Sequence, residues 1–162
     1  MYQIVYRSKS KRVLSASDLH GMLTHFRMHN AAHHLTGILL NSWGNFLQLL
    51  EGEESDVTDI FRRIRADERH HEIAVIDIVL PGRIFSDWSM AFVDLSEFAR
   101  ANPGFAGFPS DLNLTEIDGA TVLELLTFFS ERRGTLGESR QAAHGVVTAY
   151  PVCPCVQRQA SD

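Results

Sequence analysis

Cysteine is nearly absent: Cys153 and Cys155 are the only two in 162 residues, one residue apart near the end. They cannot build a disulfide framework, and a cytoplasmic protein is the simple expectation. A basic surplus is missing too. Lys and Arg number 15 against 20 Asp and Glu, a formal charge of −5, so nothing is spare to neutralise a phosphate backbone. Nucleic acid is therefore not an expected partner. No run of about 18 apolar residues occurs, so no helical membrane span is expected. The first residues, Met1-Tyr2-Gln3-Ile4-Val5-Tyr6, alternate like a strand and lack the small-residue cleavage pattern of a signal peptide. Metal ligands are wanting as well. His33-His34 and His70-His71 are adjacent pairs that point apart in extended chain, with no Cys or carboxylate at chelating spacing, so no metal is expected. There is no internal repeat.

What is present is an ordinary apolar content of 44%, enough for one domain plus an extension. Tyr2 to Ser8 alternates, with Tyr2, Ile4, Tyr6 and Ser8 on one face. Ser15 and Ser17 offer helix N-caps ahead of Asp18, and Leu19, Met22, Leu23, Phe26 and Asn30 follow at helical spacing. Leu35 to Asn41 reads as a second strand, Ser42-Trp43-Gly44-Asn45 as a tight turn, and Asn45 to Gly52 as its hairpin partner, apolar on both faces and so central. A second helix carries Val57, Ile60, Phe61 and Ile64, and Asp67 to His71 is a polar turn. Ile73 to Leu80 reads as a strand, Pro81-Gly82 as a turn, and Phe85 to Val93 as a fifth strand. The order βαββαβ plus one strand predicts an α+β, ferredoxin-like fold, with two helices on one face of an antiparallel sheet.

Three groups disturb the apolar surfaces: Tyr6 in the first strand, Asn30 in the first helix and Gln48 in the third strand. A buried amide needs partners. Gln48 is either a satisfied core glutamine or part of a polar set facing a ligand. If the three faces converge, a phenol and two amides enter the gap between helices and sheet, suited to a planar ring bearing carbonyl and imide groups. Arg63, Asp67 and His70 could then meet a ribose-like or phosphate tail.

The chain resembles the BLUF domains, flavin-binding sensors of blue light. The resemblance rests on Ile4-Val5-Tyr6-Arg7-Ser8, Asn30 with Leu35-Thr36-Gly37-Ile38-Leu39-Leu40, and Phe46-Leu47-Gln48 with Leu50-Glu51-Gly52. It continues through Arg63-Ile64 with Asp67-Glu68-Arg69-His70, and Phe85-Ser86-Asp87-Trp88-Ser89-Met90. It implies a flavin, FAD with FMN as the alternative, whose polar edge is surrounded by Tyr6, Gln48 and Asn30. His29 precedes Asn30 as in some members, and Arg63, Ile64, Asp67 and His70 match positions toward the ribityl-phosphate side. Trp88 and Met90 match the strand-five pair that relays the signal. It further implies electron and proton transfer from Tyr6 through Gln48, leaving the amide rotated or tautomerised. Four residues before Asn30 this chain has Phe26, where members often have serine. The bond such a serine could give a strand-five tryptophan is therefore missing, which favours Met90 beside Gln48.

The division expected is a BLUF domain over 1–94, a helical extension over 95–134 and a flexible tail over 135–162. Thr115 to Arg133 reads as a helix apolar on more than one stripe, needing cover from the open sheet face or from a second subunit. No catalytic motif or DNA-binding helix-turn-helix follows residue 94. The chain is thus expected not to be an enzyme, and to signal to a partner protein or through a homo-oligomer. The competing expectation is a ferredoxin-like module that binds flavin or another small ligand without photochemistry.

Overall fold

The computed structural model describes residues 1–102 and 112–132. Its elements are β1 (Tyr2–Ser10), α1 (Ala16–Ala32), β2 (Thr36–Ser42), β3 (Asn45–Gly52), α2 (Glu54–Arg65), β4 (His70–Ile76), β5 (Ala91–Asp94), α3 (Leu95–Ala101) and α4 (Gly119–Glu131). The strands form one sheet in the order β4-β1-β3-β2-β5. β3 sits at its centre, and from Phe46 onward every residue of β3 is buried. The hairpin between β2 and β3 turns through Trp43 (φ 52°) and Gly44 (φ 81°), the two consecutive left-handed residues of a type I′ turn.

The sheet has two covered faces. On one, α1 and α2 lie over Ile4, Tyr6, Leu39, Phe46 and Leu50. α1 starts in a capping box between Ser15 and Asp18. On the other, Val122, Leu125, Leu126 and Phe129 of α4 pack against Val5, Ile38, Leu40, Leu47 and Leu49. Of the two covers left open for this helix, the chain's own sheet is the one used, and that stripe needs no second subunit.

Four expectations are corrected. Residues 85–90 are not strand, and β5 begins only at Ala91. β4 and β5 lie at opposite edges, so the chain between them crosses roughly 19 Å, four inter-strand spacings. While crossing, it has no neighbour to pair with. The sheet is mixed rather than antiparallel, because β5 runs parallel to β2, Ile38 facing Ala91. β4 runs from His70 to Ile76: it takes in the last two residues of the expected polar turn, leaving residues 67–69 in the turn, and it stops four residues short of the expected end at Leu80. Last, α4 begins at Gly119, capped by Asp118 through the Thr121 amide, while Thr115 sits in a preceding turn held by Asn113. α3 went unforeseen; its cap is Asp94, which accepts from the amides of Ser96 and Glu97. The expected tail over 135–162, with Cys153 and Cys155, lies outside the described residues, as does Arg133.

Candidate functional site

Antiparallel register brings the first two polar groups together. Tyr6 of β1 stands directly opposite Gln48 of β3, so both side chains leave the same face one strand spacing apart. The Tyr6 hydroxyl donates to Gln48 Oε1. Gln48 Nε2 then faces Met90 Sδ at 3.6 Å. Both residues are 3% exposed. Burial, and after it the nearby Asp67 charge, pushes the Tyr6 phenol well above its ordinary value, so it stays protonated. The ring is packed 5.2 Å from that of Phe61, on α2.

Above this pair α1 stands off the sheet. Leu23 and Asn30 are its only buried residues, and Met22 and Phe26 line a cavity of about 210 Å³ instead. Tyr6 and Gln48 form part of its floor, and Leu39, Phe46, Ile60 and Ile64 give it apolar walls. Toward the mouth lie Arg12, Asp18, Arg63, Asp67, Arg69 and His70. A volume below the ~300–1,000 Å³ that encloses a whole drug-sized ligand suits a planar headgroup with its tail along the mouth.

The mouth is electrically mixed. Asp67 is held down at about 2, chiefly by hydrogen bonds from Arg69, at 2.5 Å for the closest pair. Arg12 reaches Asp18 at 3.2 Å. His70 Nε2 lies 2.8 Å from the Ile64 carbonyl, which requires the proton on that nitrogen. Arg63 donates to His29 Nε2 at 3.1 Å, which leaves the proton of a neutral His29 on Nδ1, a buried atom without a partner. Desolvation first, then His33, Arg63 and His25, lower the His29 pKa and keep the ring neutral. These residues fit a flavin: apolar walls, a hydrogen-bonding floor and a guanidinium at the mouth.

Of the residues singled out from sequence, Tyr6, His29, Gln48, Arg63, Ile64, Asp67 and His70 all line this cavity. Asn30 is buried beside it, and its amide donates to the Ser89 carbonyl at 2.7 Å. Met90 belongs to the cluster on this face, whereas Trp88 packs into the cluster on the other. Ser8, Ser10, Arg12, Leu14, His25 and Arg69 were not singled out. Ser8 shares the Tyr6 face by alternation and could have been. The loop residues Arg12 and Leu14 carry no periodic signal. Among the described residues no group of three or more His, Cys, Asp or Glu could hold a metal ion. No helix among them is long and apolar enough to cross a membrane.

A family model described as "BLUF: Sensors of blue-light using FAD" matches residues 1–91. The chain belongs to the BLUF family. It is 33% identical over 89 residues to photoactivated adenylate cyclase subunit beta of Euglena gracilis, a match covering 54% of this chain and 10% of that protein. It is also 33% identical over 93 residues to the blue light- and temperature-regulated antirepressor BluF of Escherichia coli K12, covering 57% and 23%. Among solved structures, the dark state of the BLUF protein BlrB superposes with a TM-score of 0.66 at 31% identity, covering 80% of this chain and 94% of that one. The chain thus spans less than a quarter of the curated relatives it matches here, and most of the length of BlrB. Its BLUF domain is a flavin-binding blue-light sensor domain rather than an enzyme.

Proposed function

We propose that this chain senses blue light through Tyr6 and Gln48 and signals by contact. The observation that carries the reading is the buried hydrogen bond from the Tyr6 hydroxyl to Gln48 Oε1 on the floor of the cavity. A bound flavin, FAD with FMN as the alternative, supplies the light-driven oxidant. Tyr6 can yield an electron, but its raised pKa keeps the proton on Oη until the electron leaves. The proton then leaves along the hydrogen bond to Gln48 Oε1. Gln48 carries an acceptor and two donors on one rotatable group. Turning the amide exchanges Oε1 and Nε2 between Tyr6 and Met90, giving two nearly isosteric arrangements, as a switch requires. Asn30 and His29 offer hydrogen bonds to the ring, Ile64 packs at its side, and Arg63, Asp67 and His70 meet the tail.

In this reading residues 1–94 are the sensing unit. Met90, with Trp88 on the opposite face, passes the change through β5 to α3 and α4, and from there to a partner protein or a second copy. The test is an absorption spectrum of the FAD-loaded protein before and after blue light. A reversible red shift is expected, and Tyr6→Phe should keep the flavin while abolishing the shift. A colourless protein after reconstitution with FAD would sink the reading; a shift surviving in Tyr6→Phe would remove the role of Tyr6.

A further inference from the structure

One buried carboxylate has no part in this chemistry. Glu51 is fully buried. Alternation along β3 puts it on the α4 face, opposite to Gln48 three residues earlier. Its Oε1 accepts from the Ile84 amide at 2.8 Å and from Gln3 Nε2 at 2.9 Å. Its Oε2 accepts from the Phe85 amide at 2.9 Å and from Thr36 Oγ1 at 3.3 Å. Four donors converge on its two oxygens, so the carboxyl group serves as the acceptor in every one of these bonds. An apolar side chain would fill this space without the cost of burying a polar group. Only a carboxylate offers acceptors on both oxygens to two consecutive backbone amides.

Those amides belong to the crossover from β4 to β5. Gln3 Nε2 also donates to the Gly82 carbonyl at 2.6 Å, so the crossover is bound where it passes under β1 and β3. Further on, the Gly37 amide donates to the Trp88 carbonyl at 3.2 Å, Asn30 holds the Ser89 carbonyl, and Arg27 Nε reaches the Met90 carbonyl at 3.1 Å. The segment that delivers Met90 to Gln48 is thus fixed at both ends, by Glu51 behind and by α1 in front.

We infer that Glu51 is a positioning residue of the photocycle: by fixing residues 84 and 85 it sets how firmly Met90 bears on the Gln48 amide, and so how long the light-formed arrangement lasts. This rests on the Tyr6–Gln48 reading above. With the clamp intact, Met90 resists the return turn of the amide. With it loosened, Met90 gives way and the amide returns sooner.

The test uses the full FAD-loaded chain as wild type, Glu51→Gln and Gln3→Leu, and measures the light-induced shift, its dark recovery and amide exchange at Ile84 and Phe85. Glu51→Gln should keep flavin and shift, exchange faster at both amides, and recover about fivefold faster, the scale of one neutral hydrogen bond lost. Gln3→Leu should shorten recovery by about twofold. Recovery unchanged in Glu51→Gln overturns the proposal, whether or not the amides exchange faster, because the clamp would then serve only stability. If Glu51→Gln does not fold, Gln3→Leu decides, and recovery equal to wild type overturns the proposal. A wild type without any light shift refutes the photochemical reading itself, a separate outcome.

Discussion

Tyr6 and Gln48 satisfy each other, so their energetics are those of a buried pair. Gln48→Leu leaves the Tyr6 hydroxyl buried without its acceptor and should cost about 1–3 kcal/mol in urea unfolding of the flavin-free protein. The double variant Tyr6→Phe/Gln48→Leu removes donor and acceptor together and should be more stable than Gln48→Leu alone. If the two substitutions simply add, the pair is not coupled as the hydrogen bond implies. Asp67 gives a pH prediction. Its folded pKa of about 2 lies below the ordinary value of 3.8, through hydrogen bonds from Arg69. A depressed carboxylate contributes stability that is full above its unfolded value and lost as pH falls through the folded one. The advantage of wild type over Asp67→Asn should therefore shrink between pH 3.8 and about 2, followed by unfolding at stepped pH. An advantage that stays constant across that window would mean the Arg69 contact does not hold the charge in solution.

At the scale of elements, the hairpin tip offers a stabilising change. Trp43 adopts φ 52° while 76% exposed, so it takes the left-handed conformation without burial in return. Asparagine tolerates that region far better. Trp43→Asn should raise stability by about 0.5–1 kcal/mol, read as a higher thermal midpoint; a loss would mean the indole makes a contact worth more than the strain. Gly37 lies at the other extreme. A Cβ there would stand 2.0 Å from the Leu49 carbonyl oxygen, so β2 and β3 close only on glycine. The sequence made β1, α1, β2, β3 and α2 legible, because their apolar residues recur at periods near two or 3.6. Residues 85–90 misled it. Trp88, Met90 and Phe92 alternate as strand residues do, yet the first two lie where the chain changes faces at the sheet edge. Alternation reports which way side chains point, not whether a neighbouring strand is there to pair. Tyr6 and Gln48, which line the cavity, and Asn30 beside it were legible as buried polar groups because such groups on apolar faces stand out. The clamp at Glu51 was not, since two of its four donors are backbone amides that only the crossover brings near.

At the scale of the molecule, one sheet serves two cores with different work. The face under α1 and α2 is left incompletely filled, and the cavity is the result. The face under α4 is closely filled: Phe85, Leu125, Leu126 and Phe129 expose nothing, and Phe129 meets Phe98 edge-on at 5.4 Å. Stability and binding should therefore separate by face. Phe129→Ala removes a fully buried ring and should cost about 3–5 kcal/mol. Yet it touches nothing that lines the cavity, so FAD affinity of the folded fraction should stay within about a factor of three of wild type, less than 1 kcal/mol. Phe46→Ala, also at a buried position, should lose stability too, but unlike Phe129→Ala it should weaken FAD binding beyond that factor of three. Phe46 lies on the cavity wall at the rung next to Gln48, opposite Ser8, and its removal widens the space where a ring would be gripped. Titrating FAD into each variant by fluorescence quenching, beside urea unfolding of the same samples, separates the two effects. Equal losses of affinity in both variants would show that α4 and the cavity form one cooperative unit. In that case the helix on the far face would itself be part of what holds the flavin.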